Sequence, residues 1–307
     1  MSESPRRRFA VATVVGVLCL LYFPHSTQAQ VDNMRNPYGK PRYGLLIAGL
    51  DRDPESSSRD RRTDAHTDTL VLLTSQSGSG VVDALHIPRD TRVFEAGTGF
   101  MKVNGVYMNG NRLALSRAVE TLTGISVNSV LLLDFERFRR AIALVGSVPF
   151  NVDKAIWAPE GDVTLPAGWR RLNPRQALAV VRFRHEPLGD IGRVHRQERF
   201  LRSAVTIASH LPFALFTQVM RTLDAHVSDQ DIAVAYAMVH PLVKYRAHSV
   251  PGNFSTGPGA SYWLPAQLGL KTIAGFVVGR SDALPASARW QNNFANRDAD
   301  DGRDRCF

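Results

Sequence analysis

Strands that alternate with helices predict an α/β fold here: a layered α-β-α domain around a central mixed sheet, preceded by an N-terminal membrane segment. Three observations carry that expectation. Apolar, β-branched runs at 43–50, 69–75, 81–87, 130–133 and 148–152 have the length of strands buried on both faces. Segments between and after them have helical periodicity and recognisable caps. Residues 9–23 carry no charge and follow Arg6, Arg7 and Arg8. Strands and helices that alternate along one chain bury their apolar faces by placing helices on both sides of a sheet.

The N-terminal run reads as an export signal, with its arginines left inside. One outcome is cleavage after Ala29, where Thr27 and Ala29 resemble a small-x-small site. The other is a single retained anchor, although fifteen strongly apolar residues fall short of the roughly 20 that span a bilayer. Either way, the rest of the chain is expected outside the cytoplasm. Residues 1–31 form the basic tip and membrane segment, 32–42 a Pro- and Gly-containing linker, 43–282 one large domain and 283–307 a polar tail.

Within the domain, 51–66 is a charged loop rich in Ser, Arg and Asp, and 76–80 is a Gly/Ser turn. Residues 111–123 read as a helix with Leu115, Ala118, Val119 and Leu122 on one face, Asn111 as its cap and Gly124 just past its end. Asp134 caps a second helix that runs to Val145 and is closed by Gly146. Asn173 and Pro174 start a third, with Pro at the first helical position. It leads to a strand-like 179–183. A long helix follows over 193–211, then helices over 213–225 and 229–243, a strand over 247–250 and a helix near 265–272.

Composition excludes some functions. The two cysteines, Cys19 and Cys306, exclude a disulfide scaffold and a Cys-rich metal site. Lys and Arg total 37 against 28 Asp and Glu, for a net charge of +9, and all but five of the 37 are Arg. A GC-rich genome explains such a bias equally well as a phosphate-binding role for the planar guanidinium fork, so position has to decide. The charged residues cluster where apolar strands end: Asp51, then His66-Thr67-Asp68-Thr69, then Pro88-Arg89-Asp90-Thr91, then Arg182 and Arg184, then Asp190, Arg193, Arg196 and Gln197. Ligands of open α/β sheets bind in the crevice at strand ends. Arg182 and Arg184 alternate as strand residues on one face do. Arg193, Arg196 and Gln197 form one stripe near a helix N-terminus, which favours anions. Asp51 and Asp68 are oxygen donors suited to Mg²⁺ or Mn²⁺. Arginine pairs suit a diphosphate. Each residue also has a plainer use: a turn or cap for Asp51 and Asp68, a surface ion pair for Arg89 and Asp90, an Asn-Gly turn for Lys102-Val103-Asn104.

From Tyr43 to Gly279 the chain resembles the LytR-CpsA-Psr family of cell-envelope enzymes. The resemblance rests on ordered motifs: Leu45-Leu46-Ile47-Ala48-Gly49-Leu50-Asp51, Thr67-Asp68-Thr69, Ile87-Pro88-Arg89-Asp90-Thr91, Lys102-Val103-Asn104, Leu172-Asn173-Pro174-Arg175-Gln176-Ala177-Leu178, Val181-Arg182-Phe183-Arg184-His185, and Asp190-x-x-Arg193-x-x-Arg196-Gln197. It implies a phosphotransferase that moves a glycopolymer from a polyprenyl-diphosphate carrier to a peptidoglycan sugar hydroxyl. It also implies a single-pass protein of the cytoplasmic membrane, with the catalytic domain outside. The metal would be Mg²⁺ or Mn²⁺ on Asp51 and Asp68. Arg89, Arg182, Arg184 and Arg193 would hold the diphosphate, with Gln197, Lys102 and Arg196 beside them. Arg89 and Asp90 are the catalytic candidates, Asp90 as general base. The family places Arg where this chain has His66, with Arg61 and Arg62 close upstream as substitutes. Hydrolysis of the same lipid-linked precursors and non-catalytic binding of polyprenyl lipid or envelope polymer are the alternatives. Nucleic acid is not expected as a partner, because the basic groups sit among carboxylates behind an export signal.

Overall fold

The computed structural model describes residues 42–51, 66–76, 79–107, 110–158, 163–183, 189–255 and 261–266. The N-terminal segment and linker, Arg61 and Arg62, Arg184 and His185, the side chain of Asp190, most of the expected helix near 265–272 and the polar tail lie outside them. No helix among the described residues is long and apolar enough to cross a membrane.

In chain order the strands are β1 (Arg42–Leu50), β2 (Thr67–Gln76), β3 (Val81–Ile87), β4 (Arg92–Glu95), β5 (Gly99–Lys102), β6 (Ser129–Leu133), β7 (Val148–Val152), β8 (Ile156–Ala158), β9 (Val163–Leu165), β10 (Gly168–Leu172), β11 (Lys244–Ser249), β12 (Gly252–Phe254) and β13 (Trp263–Pro265). The helices are α1 (Arg112–Thr123), α2 (Phe135–Val145), α3 (Pro174–Arg182), α4 (Gly189–Ala208), α5 (Phe213–Leu223) and α6 (Asp229–Val239). The central sheet has the order β11-β3-β2-β1-β6. β1 runs parallel to β6, β3 runs parallel to β11, and β2 is antiparallel to both of its neighbours. The C-terminal ends of four strands and the start of β2 therefore share one edge. The mixed sheet matches the expected class.

Strand alternation sorts side chains to two cores. Leu46, Ala48, Leu70, Leu72, Leu85 and Ile87 pack against Leu115, Val119 and Leu122 of α1. Leu45, Val71, Leu73, Val82 and Ala84 face the opposite way, against Val205 of α4, Phe216 and Met220 of α5, and Ile232 and Met238 of α6. A third core joins β7 to β10 with Ala177 and Val180 of α3 and Phe200 of α4.

Helix starts and stops follow the caps. Asn111 accepts from the Ala114 N–H, and Gly124 closes α1 at φ 69°, a conformation that Gly adopts without a Cβ penalty. Asp134 accepts from the Arg137 N–H at the start of α2. Asn173 and Gln176 form a reciprocal capping box around Pro174. That box carries α3 through to Arg182, so the expected strand at 179–183 is instead helix to Arg182, with Phe183 as its cap. Ala-Val-Val is locally ambiguous, and the upstream cap plus burial of Ala177 and Val180 one turn apart decides it. The β4–β5 hairpin, the short pairs β8–β9 and β12–β13, and β10 did not stand out in the sequence, because three- to five-residue strands carry too little periodicity.

Two buried ion pairs tie elements across the sheet. Asp224, fully buried, accepts two bonds from Arg112 (2.6 and 3.0 Å) and one from the Leu132 N–H at 2.9 Å. This joins the ends of α1 and α5 to β6. Asp83 accepts a fork from Arg246 at 2.6 and 2.8 Å, locking β11 to β3.

Candidate functional site at the sheet edge

The shared edge gathers most of the residues singled out from the sequence. β1 ends at Leu50, and the Asp51 N–H donates to the His66 carbonyl at 3.0 Å, so the chain leaves and re-enters the sheet at one point. Asp51 and His66 both expose their side chains. Two residues on, Asp68 stands half-buried at the start of β2. Its Oδ1 accepts from Arg89 Nη1 at 3.1 Å, and its Oδ2 lies 3.9 Å from Arg193 Nη1. Arg89 Nε is 3.8 Å from Asp90 Oδ2, and Lys102 Nζ is 2.6 Å from Asp90 Oδ1. Lys102, Asp90, Arg89, Asp68 and Arg193 thus form a row of alternating charge that crosses from the β5 end, past β3 and β2, to α4.

Backbone bonds hold this row in place. The Thr91 carbonyl accepts from the Val103 N–H at 2.8 Å, and the Arg89 carbonyl accepts from the Asn104 N–H at 3.2 Å. Thr67, fully buried, donates through its hydroxyl to the Asn104 carbonyl at 3.4 Å. Asn104 serves through its main chain, which bends at a 3-10 turn over Val103–Gly105. Its place in a turn was legible; its use as the clasp between two loops was not.

On the α4 side the stripe also does structural work. Arg193 and Arg196 are both buried. Arg196 Nη1 donates to the Phe183 carbonyl at 2.8 Å, and its guanidinium lies 5.2 Å from the Phe183 ring centre. It pins the end of α3. Gln197 bridges two elements. Its Nε2 donates to the Val181 carbonyl at 3.0 Å, and its Oε1 accepts from the Thr69 hydroxyl at 3.3 Å. Gln197 fastens the C-terminal turn of α3 to β2 beside Asp68. Arg182 is the last residue of α3 and is exposed, with its guanidinium 4.4 Å over the Phe135 ring at the start of α2. Arg182 is thus helical rather than a strand residue, and Arg184 lies outside the described residues. Thr69 stands in the Thr67-Asp68-Thr69 motif without a use that the sequence assigns, and for Phe135 only its place beside the Asp134 cap gave a hint.

Two histidines lie beneath this edge. His86, one residue before the end of β3, is buried, and its Nε2 has no hydrogen-bond partner among the described residues. Burial pushes its imidazole down to about 4, helped by His195 of α4 and by His248. Burial also lowers His195, with Arg199 adding to the effect. Neutral imidazoles thus sit under a strongly charged rim.

For a divalent cation, the edge offers the Asp51 and Asp68 carboxylates. Among the described residues no group of three or more His, Cys, Asp and Glu side chains comes together to hold a metal. Hard oxygen donors suit Mg²⁺ or Mn²⁺ rather than a thiol-seeking ion.

A family model described as LytR_cpsA_psr matches residues 24–272, most of the chain. The chain belongs to the LytR_cpsA_psr family. Among its relatives is the regulatory protein MsrR of Staphylococcus aureus, 28% identical over 182 residues, covering 58% of this chain and 53% of MsrR. Another is the polyisoprenyl-teichoic acid–peptidoglycan teichoic acid transferase TagV of Bacillus subtilis, 30% identical over 186 residues, covering 57% of this chain and 46% of TagV. The chain spans about half the length of these relatives. The crystal structure of B. subtilis TagV superposes with a TM-score of 0.66 at 22% identity, over 80% of this chain and 100% of that one. TagT with bound octaprenyl pyrophosphate lipid superposes with a TM-score of 0.61 at 21% identity, over 78% and 90%. Both are likenesses of fold.

Proposed function

We propose that this LytR_cpsA_psr chain transfers a glycan phosphate from a polyprenyl-diphosphate carrier to a sugar hydroxyl of the cell wall. The observation that carries this reading is the charged row at the sheet edge, with Asp68 held between Arg89 and Arg193. A diphosphate entering the row exchanges protein carboxylates for its own oxygens on the same guanidinium groups, whose forks match phosphate geometry. The names of TagV and of lipid-bound TagT support a lipid-borne substrate.

The chemistry balances without a further reactant. The acceptor hydroxyl oxygen bonds to the phosphorus that bears the glycan. The bond from that phosphorus to the bridging oxygen breaks, and polyprenyl phosphate leaves. Asp90, oriented by Lys102, takes the hydroxyl proton if the acceptor binds within hydrogen-bond reach. Arg89 faces the charge that develops on the transferring group. Phosphoryl transfer asks mainly for positioning and charge neutralisation, which this row supplies. Asp51 and Asp68 would hold Mg²⁺ or Mn²⁺, which would neutralise further diphosphate charge. In this reading the chain works at the outer face of the cytoplasmic membrane, with peptidoglycan as acceptor.

The test is turnover of a short glycan on polyprenyl diphosphate by the full chain, with peptidoglycan fragments present and with or without Mg²⁺. Release of polyprenyl phosphate with the glycan joined to the fragment supports transfer. Release without joining makes the chain a hydrolase of the same precursors. Tight lipid binding without release under any metal condition leaves a binding protein and overturns the enzymatic reading.

A further inference from the structure

Two phenyl rings stand in solvent beside the charged row. In the β4–β5 hairpin the register pairs Arg92 with Lys102 and Phe94 with Phe100, so these four residues share one face. Val93 and Met101 point the other way, into the first core. Phe94 is 55% and Phe100 61% exposed. Their centroids are 5.5 Å apart, edge to face, and the Arg92 guanidinium lies 4.0 Å over the Phe100 ring. The connecting residues 96–98 are exposed and uncharged, and Glu95 belongs to the opposite face. A cross-strand aromatic pair adds a little to hairpin stability, but a contiguous exposed patch of two phenyl rings on the side away from the core marks a surface suited to contact.

The base of this hairpin is the site. Lys102 holds Asp90 at 2.6 Å, and the Thr91 carbonyl accepts from the Val103 N–H. A substrate whose diphosphate is tied to a membrane lipid presents that group at headgroup level. A hairpin that begins at the diphosphate site stands within reach of the headgroup region. Aromatic rings flanked by arginine suit that region, rings toward the acyl boundary and guanidinium toward anionic phosphate. A sugar-binding platform fits less well. One face of Phe100 is covered by Arg92, and the two rings are inclined at 74°, so they offer no flat surface for stacking.

We propose that the outer face of the β4–β5 hairpin, Arg92, Phe94 and Phe100, docks the domain on the anionic surface of the bilayer that carries its substrate. The inference rests on the lipid-borne substrate proposed above. It is tested with the full chain in vesicles of phosphatidylcholine with and without phosphatidylglycerol. In a Cys19→Ser, Cys306→Ser background, an environment-sensitive fluorophore is attached at Thr98→Cys in the hairpin, or at Val243→Cys. Val243 precedes β11 at the opposite end of the sheet and is 74% exposed.

The expected result is a blue shift and quenching by shallow nitroxide lipids at position 98, stronger with phosphatidylglycerol, and neither at position 243. Phe94→Ser with Phe100→Ser abolishes both effects while lowering the melting temperature by no more than about 4 °C. Arg92→Gln raises KM for the embedded carrier about fivefold and leaves turnover of a short-chain, water-soluble diphosphate unchanged. Equal quenching at 98 and 243, or quenching indifferent to the Phe substitutions, overturns the proposal. So does a shift caused by soluble peptidoglycan fragments and not by vesicles. If neither substrate turns over, the transferase reading fails, while the quenching pattern still decides the docking surface.

Discussion

Arg89 carries the most specific geometry at the residue scale. Its guanidinium reaches Asp68 at 3.1 Å while its main chain is clamped by Asn104. Arg89→Lys keeps the charge and loses the fork. The expected outcome is a loss of about a hundredfold in turnover, with the melting temperature shifted by no more than about 3 °C, measured by carrier turnover and by thermal unfolding. Arg89 and Asp68 were legible because strand ends concentrate ligand residues. The uses of Arg196 and Gln197 were not, since a helical stripe shows which residues share a face and not what they meet. His86 gives a pH prediction. Above pH 6.5 both folded and unfolded chains hold it neutral, and it contributes no pH dependence. Between 6.5 and about 4 the unfolded chain takes up a proton that the buried ring refuses, so stability falls as pH falls. His195 acts with the same sign, whereas Glu198, raised by burial, acts against it at the acid end. Urea unfolding at pH 7 and pH 4.5 should show His86→Gln losing less stability on acidification than the parent chain. An equal loss would remove His86 as the cause.

At the element scale, two devices are open to test. The capping box starts α3, and α3 delivers the Val181 carbonyl to Gln197 and sets Arg182 over the Phe135 ring. Asn173→Ala should cost about 1 kcal/mol, read by chemical denaturation, with a higher KM as the helix start frays. The Asp224–Arg112 pair is a stronger joint. Asp224→Ala leaves the Arg112 guanidinium without its carboxylate and the Leu132 N–H without its acceptor, and should destabilise by about 3–5 kcal/mol. Denaturant midpoints would measure it, and a loss under about 1 kcal/mol would show that the joint is dispensable. Caps at Asn111, Asp134 and Asn173 were readable because each is a local bond between residues three apart. Asp224 was not, since its partners lie 92 and 112 positions away.

For the molecule as a whole, the three cores lie behind the charged edge, and the edge residues contribute little to them. Chelation of divalent cations with EDTA should therefore abolish turnover and leave the melting temperature nearly unchanged. A large drop in melting temperature would place the ion in a structural role instead. The amino-acid sequence by itself determined the class of fold, the central strands, most helix starts and the family, because period-2 and period-3.6 patterns, caps and ordered motifs are local signals. It also placed Asp51, Asp68, Arg89 and Asp90 at strand ends. Only the tertiary structure decided that Asp68 stands between Arg89 and Arg193, that Lys102 meets Asp90, that Gln197 is a clasp between α3 and β2, and that 179–182 is helical. Those outcomes depend on long-range pairings whose partners are set by how sheet and helices pack, and no local pattern records them.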